Sequence, residues 1–343
     1  MKCCPECIGD GHIRREIIPK YSTETGTCSY CGSTNIQLVE PSELIDQFEL
    51  LAGIYTLNVD GKTLVEWFKD DWNMFEHPNM DVAHAKELLA DILNDGEIVR
   101  EHYVPSELSN SNTLDIWETF RDELKHQNRF FPKVDLDSAR LGELLSYLLH
   151  PDELEQEWYR ARIQKDNMAY TSDKMGAPPK KLALHGRANP AGIPYLYLAS
   201  EMNTAISEIR PHTGEIANVA TFTVTSNLKL VDLRHPRKTI SPFLLAEARD
   251  ILLLRSDIEF LERLGDELTR PVLPQAAAID YIPSQYLCEF IKSRGYHGVM
   301  YRSSVGDGIN IALFNPKSAV VGTVSEHRVT RVSVEVSSSD PNL

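Results

Sequence analysis

Gly186-Arg187-Ala188-Asn189-Pro190-Ala191-Gly192-Ile193-Pro194-Tyr195-Leu196-Tyr197-Leu198-Ala199, followed closely by Thr204-Ala205-Ile206-Ser207-Glu208, decides how the rest of the chain is read. Asparagine, proline and glycine between Asn189 and Gly192 turn the backbone. Tyr195 to Leu198 are β-prone and lead into a strand. Asn203 to Ile209 then have helical character. One short turn–strand–helix unit therefore carries an arginine, two tyrosines and a glutamate. Tyr195 and Tyr197, two residues apart in a strand, point to the same face, so one of them can serve the core.

Two further segments flank this unit. Trp158-Tyr159-Arg160-Ala161-Arg162 precedes it, and Gly298-Val299-Met300-Tyr301-Arg302-Ser303-Ser304 follows, running on to Asn310-Ile311-Ala312-Leu313-Phe314-Asn315-Pro316. Val219–Val224, Leu228–Leu233 and Asn310–Phe314 are β-prone, while Pro242–Leu254 and Tyr286–Ser293 are helical. Helix and strand alternate irregularly, which predicts an α+β domain rather than a doubly wound sheet. Lys165–Lys181 is polar, with Gly176 and two prolines, and is expected to be a mobile loop near the site.

The order and spacing of the three segments resemble the RES-domain family, named for an arginine, a glutamate and a serine. The resemblance covers roughly the C-terminal half. It implies a fold related to ADP-ribosyltransferases and the destruction of NAD+, which is what characterised toxins of the family do. Arg160, Glu208 and Ser303 are the implied catalytic residues, with Arg162 and Ser304 as neighbouring alternatives. Arg187, Tyr197 and Asn310 are implied to bind the dinucleotide or to support the cleft.

Those residue types suit that chemistry. Breaking the nicotinamide–ribose bond builds positive charge on the ribose, which a carboxylate stabilises. An arginine fork donates two hydrogen bonds to a phosphate. No glycine-rich phosphate loop of the Rossmann or Walker kind occurs, so NAD+ is expected as a consumed substrate. Hydrolysis, phosphorolysis and ADP-ribosyl transfer to a macromolecule differ only in the acceptor, and the sequence leaves them open. A non-catalytic sensor is the remaining alternative, against which the intact Arg160, Glu208 and Ser303 argue.

Upstream, Cys4-Pro5-Glu6-Cys7 and Cys28-Ser29-Tyr30-Cys31-Gly32 have the spacing of a zinc ribbon. Cys4, Cys7, Cys28 and Cys31 would complete a tetrahedron around a structural zinc. Cys3 competes with Cys4, but only Cys4 keeps the two-residue gap. Gly32 lets the backbone fold close to the sulfurs. Cys288, on an apolar helical stretch, is expected to be buried and inert.

Residues 41–150 read as helical, from the spacing of Leu44, Ile45, Phe48, Leu51 and Ala52 and of the stretches 82–93, 113–127 and 138–149. Asp81 and Ser138 are expected N-caps, and His84 is expected in the core. The combination of ribbon, helical domain and RES-like segment resembles proteins with a HEPN/RES N-terminal domain. Arg121 and His126 fit the spacing of HEPN ribonucleases, although Asp122 and Glu123 suit RNA poorly. The expected organisation is thus a ribbon over 1–40, a helical domain over 41–150, the RES domain over 151–330 and a tail over 331–343, frayed from Ser337.

Bulk properties narrow the function. A net charge of −15 over 343 residues argues against broad adhesion to nucleic acid or anionic lipid. No stretch approaches the roughly 20 apolar residues needed to cross a bilayer. Met1-Lys2-Cys3-Cys4-Pro5 lacks the apolar core of a secretory signal, so the cytoplasm is the expected location. The expected role is a toxin or phage-defence effector, held in check by an antitoxin or released by a trigger, with self-association left open. The large non-catalytic N-terminal half is expected to exert that control.

Overall fold

A computed structural model describes residues 1–106, 112–150, 154, 157–165, 168–273 and 275–333. The tail expected from Ser337 lies outside the described residues. The chain divides into two compact units that do not follow sequence order. One takes residues 1–149 and 235–265, the other residues 150–234 and those from Asp266 onward.

In chain order the first unit opens with α1 (Pro5–Ile8), α2 (Ile18–Tyr21) and the antiparallel pair β1 (Glu24–Gly26) and β2 (Ile36–Leu38). Then come α3 (Ile45–Ala52), β3 (Tyr55–Lys62), α4 (Leu64–Trp72), α5 (Val82–Leu93), β4 (Tyr103–Pro105), α6 (Thr113–His126) and α7 (Ser138–Tyr147). The stretch expected to be helical thus also holds a two-stranded sheet, in which β3 pairs with β4. Thr63 and Glu66 form a reciprocal capping box that starts α4.

Asp81 caps α5 through the His84 amide. The α7 cap is Asp137, which accepts from the Ala139 and Arg140 amides, and not Ser138, which is the first helical residue. His84 is not in the core either. Its side chain is about half exposed, and Nδ1 turns back to Asp81 at 2.8 Å, because the first turn of α5 faces solvent and the buried stripe begins at Ala85.

The second unit begins with β5 (Trp158–Ile163), β6 (Leu196–Ala199), α8 (Met202–Glu208), β7 (Ile216–Val224) and β8 (Leu230–Asp232). The chain then returns to the first unit through α9 (Pro236–Thr239), α10 (Ala248–Ser256) and most of α11 (Ile258–Thr269). Buried charge explains why 235–265 belong there. Arg255 grips Asp71 with two nitrogens, Arg140 does the same to Asp257, and Ser241 donates to Asp10. Phe243 packs on Phe48, with ring centroids 5.1 Å apart.

The second unit closes with α12 (Ala277–Asp280), α13 (Ile282–Ser293), β9 (Gly298–Arg302), β10 (Ile309–Leu313) and β11 (Ala319–Arg328). Its sheet has the order β11-β7-β5-β6-β10-β9-β8, antiparallel except where β8 meets β9. This is an α+β arrangement. Trp158, Leu196, Leu198, Phe222, Met300, Ile311 and Leu313 belong to one buried apolar cluster. Small residues, Ala161, Ala199, Ala205 and Val219, form another with Met202, Ile206 and Ile209 of the α8 region. Alternation along the strands thus separates bulky from small side chains.

The polar stretch after β5 is anchored where it is described, rather than free. Met175 is fully buried, Gly176 accepts from Arg162 at 2.7 Å, and the Tyr170 amide donates to Asn218. Cys288 is buried in α13, and burial pushes its thiol well above the usual range.

Candidate active site

The strand register builds the site floor. β5 pairs with β7 along its whole length but meets β6 only at Tyr159 opposite Ala199. Beyond that point the strands part. The row Tyr159, Ala199, Asn310, Tyr301 continues across β5, β6, β10 and β9. All four line a cavity of about 500 Å³, together with Arg160, His185, Arg187, Tyr197, Glu208, Arg210, Tyr281 and Ser304. That volume suits a small-molecule ligand.

Glu208 ends α8, and its two oxygens are treated differently. Oε1 accepts from Ser303 Oγ at 2.7 Å and from Asn310 Nδ2 at 2.6 Å. No described residue donates to Oε2, so the carboxylate is fixed by one oxygen and offers the other. The adjacent serines are separated by this geometry. Ser303 holds Glu208, while Ser304 lines the cavity with Oγ 3.4 Å from Arg187 Nη2.

Arg160 reaches across the gap between β5 and β6, and its Nη1 donates to the Tyr197 carbonyl at 2.9 Å. Its Nε is buried without a partner. Burial, assisted by neighbouring Arg162, pushes the guanidinium down to about 10, which leaves it cationic at neutral pH but poorly compensated. Arg162 is not among the cavity residues; it is turned to Gly176. Arg187 is pinned by the Arg270 carbonyl at 2.7 Å and lies over the Tyr281 ring.

Tyr197 lines the cavity with its hydroxyl already used. It donates to Asn189 Oδ1 at 2.7 Å and accepts from the Ala188 amide at 3.0 Å, clamping the turn. Gly186 fits beneath this clamp, because a Cβ there would lie 2.5 Å from Asn189 Oδ1. Tyr195 goes to the core, against Phe314.

Sequence reasoning missed Arg210 and Tyr301. Arg210 follows the end of α8 with φ +48°, a conformation uncommon outside glycine. Its guanidinium lines the cavity and donates weakly, at 3.5 Å, to the Val272 carbonyl. No residue pattern marks that backbone kink. Tyr301 stands two residues before Ser303 and reads as an ordinary buried strand aromatic.

In the first unit the four expected thiols converge. Cys4 Sγ lies 3.8 Å from Cys7 and 3.5 Å from Cys31, and Cys7 lies 3.2 Å from Cys28. A tetrahedral thiolate site with metal–sulfur bonds of about 2.3 Å needs sulfurs roughly 3.8 Å apart, so the donor set fits a metal ion. Gly32 follows with φ +75°. Cys3 is diverted into a bridge with Val39, and its thiol donates to that carbonyl. On α6, Arg121 pairs with Glu118 at 2.9 Å and His126 is exposed.

No curated protein matches the chain. A chain of the crystal structure of the M. tuberculosis MbcT–MbcA toxin–antitoxin complex is similar, with 16% identity over 55% of this chain and 92% of that one, at a TM-score of 0.33. The family model of the RES domain matches residues 157–332, which contain every cavity residue named above. With that model spanning just over half of its length, the chain belongs to the RES-domain family.

Proposed function

We propose that the protein consumes NAD+ by breaking the nicotinamide–ribose bond, and that it acts as the toxin of a toxin–antitoxin pair. The observation that carries this reading is the Glu208 carboxylate, anchored through Oε1 by Ser303 and Asn310, beside arginines with no carboxylate partner in the cavity. Arg160, Arg187 and Arg210 supply positive charge for a pyrophosphate. Glu208 Oε2 supplies negative charge where the ribose becomes cationic as nicotinamide leaves. By holding Oε1, Ser303 and Asn310 keep the carboxylate in place, so little reorganisation accompanies the charge change.

The acceptor of the ADP-ribosyl group separates the two readings kept here, NAD+ cleavage by water or phosphate and transfer to a macromolecule. The four thiols are read as a structural zinc site, since four thiolates leave no open coordination position. Free cysteines throughout suit a reducing cytoplasm.

Purified protein incubated with NAD+ labelled in the adenosine half tests the reading. Free ADP-ribose or its 1-phosphate alongside nicotinamide is the expected outcome. Label retained on protein or nucleic acid establishes the transferase instead, and intact NAD+ overturns both.

A further inference from the structure

We infer that Tyr301 is a further substrate-positioning residue, whose hydroxyl donates a hydrogen bond to the ribose–nicotinamide half of the dinucleotide. The inference rests on the NAD+ reading above and adds to it a role for a residue that has been given none so far. Tyr301 lies directly across from Asn310 in the row that forms the cavity floor, so both side chains leave the sheet on the cavity side. Only 5% of the residue is exposed. The other polar groups around it are spoken for: Asn310 and Ser303 hold Glu208, and the Tyr197 hydroxyl holds the Asn189 turn.

The Tyr301 hydroxyl has no hydrogen-bond partner among the described residues. Tyr301 lines the cavity, and its hydroxyl is not among the sealed polar atoms left without a partner, so water or a ligand in the cavity can reach it. The hydroxyl is therefore placed for something that enters the cavity. Burial raises the phenol well above its ordinary range, so it stays a neutral donor at physiological pH. A neutral donor suits a ribose hydroxyl or a carboxamide oxygen. The phosphates are better matched by Arg160 and Arg187. Asn310, the cross-strand neighbour of Tyr301, donates to Glu208, so Tyr301 stands on the Glu208 side of the cavity.

The test measures binding of NAD+ and of ADP to full-length protein in a Glu208→Gln background, so that the dinucleotide survives the titration. ADP keeps the pyrophosphate and lacks the ribose–nicotinamide half. Adding Tyr301→Phe is expected to weaken NAD+ about three- to tenfold, the worth of one hydrogen bond. ADP affinity is expected to stay within about twofold, and the melting temperature to hold or rise, because no internal bond is lost. Unchanged NAD+ affinity overturns the assignment, as does equal weakening of ADP. A clear fall in melting temperature shows a structural hydroxyl and also overturns it. If neither protein binds NAD+ at all, the functional reading itself fails and this assignment with it.

Discussion

Glu208 illustrates how much of a carboxylate's setting is supplied by other parts of the chain. Its position depends on donors that come from two different strands, Ser303 after β9 and Asn310 in β10. Each is a hydrogen bond to a charged group, typically worth about 1.5–3 kcal/mol. Ser303→Ala and Asn310→Ala are therefore expected to lower kcat roughly ten- to a hundredfold with a smaller effect on KM. A change confined to KM would show that these residues bind substrate instead of holding the carboxylate. Arg160→Ala is expected to weaken NAD+ binding as well as turnover, and Arg160→Lys to rescue little, because an ammonium lacks the fork that spans Tyr197 and a phosphate. Full recovery by lysine, in a binding titration, would reduce Arg160 to a point charge.

At the scale of elements, the segments bearing Arg160, Glu208 and Ser303 were legible because each is short and local. The turn, strand and helix around Glu208 follow from Pro190, Gly192 and the β-prone Tyr195–Leu198. What could not be read was pairing. That β5 meets β6 at one residue only, opening the gap that Arg160 fills, is a property of the sheet and leaves no mark in Trp158–Arg162. Arg210 owes its place to one positive φ, and the separate duties of Ser303 and Ser304 to which way each residue points after β9.

Two element-scale predictions follow from buried charge and from the thiols. Asp232 at the end of β8 is gripped by Arg234 and approached by His150. Burial alone would raise its carboxyl, but Arg234 and His150 outweigh burial and hold it well below the usual carboxylate range. A depressed pKa means stability that is present above the unfolded value, about 3.9, and lost as pH falls through the folded one. Arg234→Ala is expected to cost about 3 kcal/mol at pH 7, with the gap to wild type in melting experiments shrinking below about pH 4. A gap independent of pH would rule out the ion pair as its source.

The four-thiol segment is tied to α5 by Tyr30 to Asp91, and to the loop before α5 by Asn79 to the Cys31 carbonyl and the Phe75 amide to the Ile8 carbonyl. One zinc per chain is expected by metal analysis of reduced protein, and Cys4→Ser or chelation should lower the unfolding temperature. Less than about half an equivalent of metal, with Cys4→Ser harmless, would contradict a structural site.

Over the whole molecule, sequence order misleads. Residues 235–265 lie inside the RES-matched range yet belong to the unit that begins at Met1. Their partners, Asp71 for Arg255, Arg140 for Asp257 and Phe48 for Phe243, all precede residue 150. Removing residues 1–149 would strip Asp257 of Arg140 and Thr113 and expose the face of α9 to α11 that they cover. Such a truncation is expected to aggregate or bind hydrophobic dyes, so it cannot isolate a catalytic half or show whether the N-terminal half controls it. A soluble, cooperatively folding 150–343 fragment would contradict that division.

Whether the Glu208 carboxylate acts on a dinucleotide is decided by nicotinamide release from NAD+, comparing full-length wild type with Glu208→Gln. Glutamine keeps the shape and most ground-state contacts but removes the negative charge that matters as the ribose becomes cationic. Wild type is expected to release nicotinamide, and the variant to lose about a hundred- to a thousandfold in rate while binding NAD+ within about tenfold of wild type. A variant that keeps more than about a tenth of wild-type turnover, or a wild type that releases no nicotinamide, would contradict that role of the carboxylate.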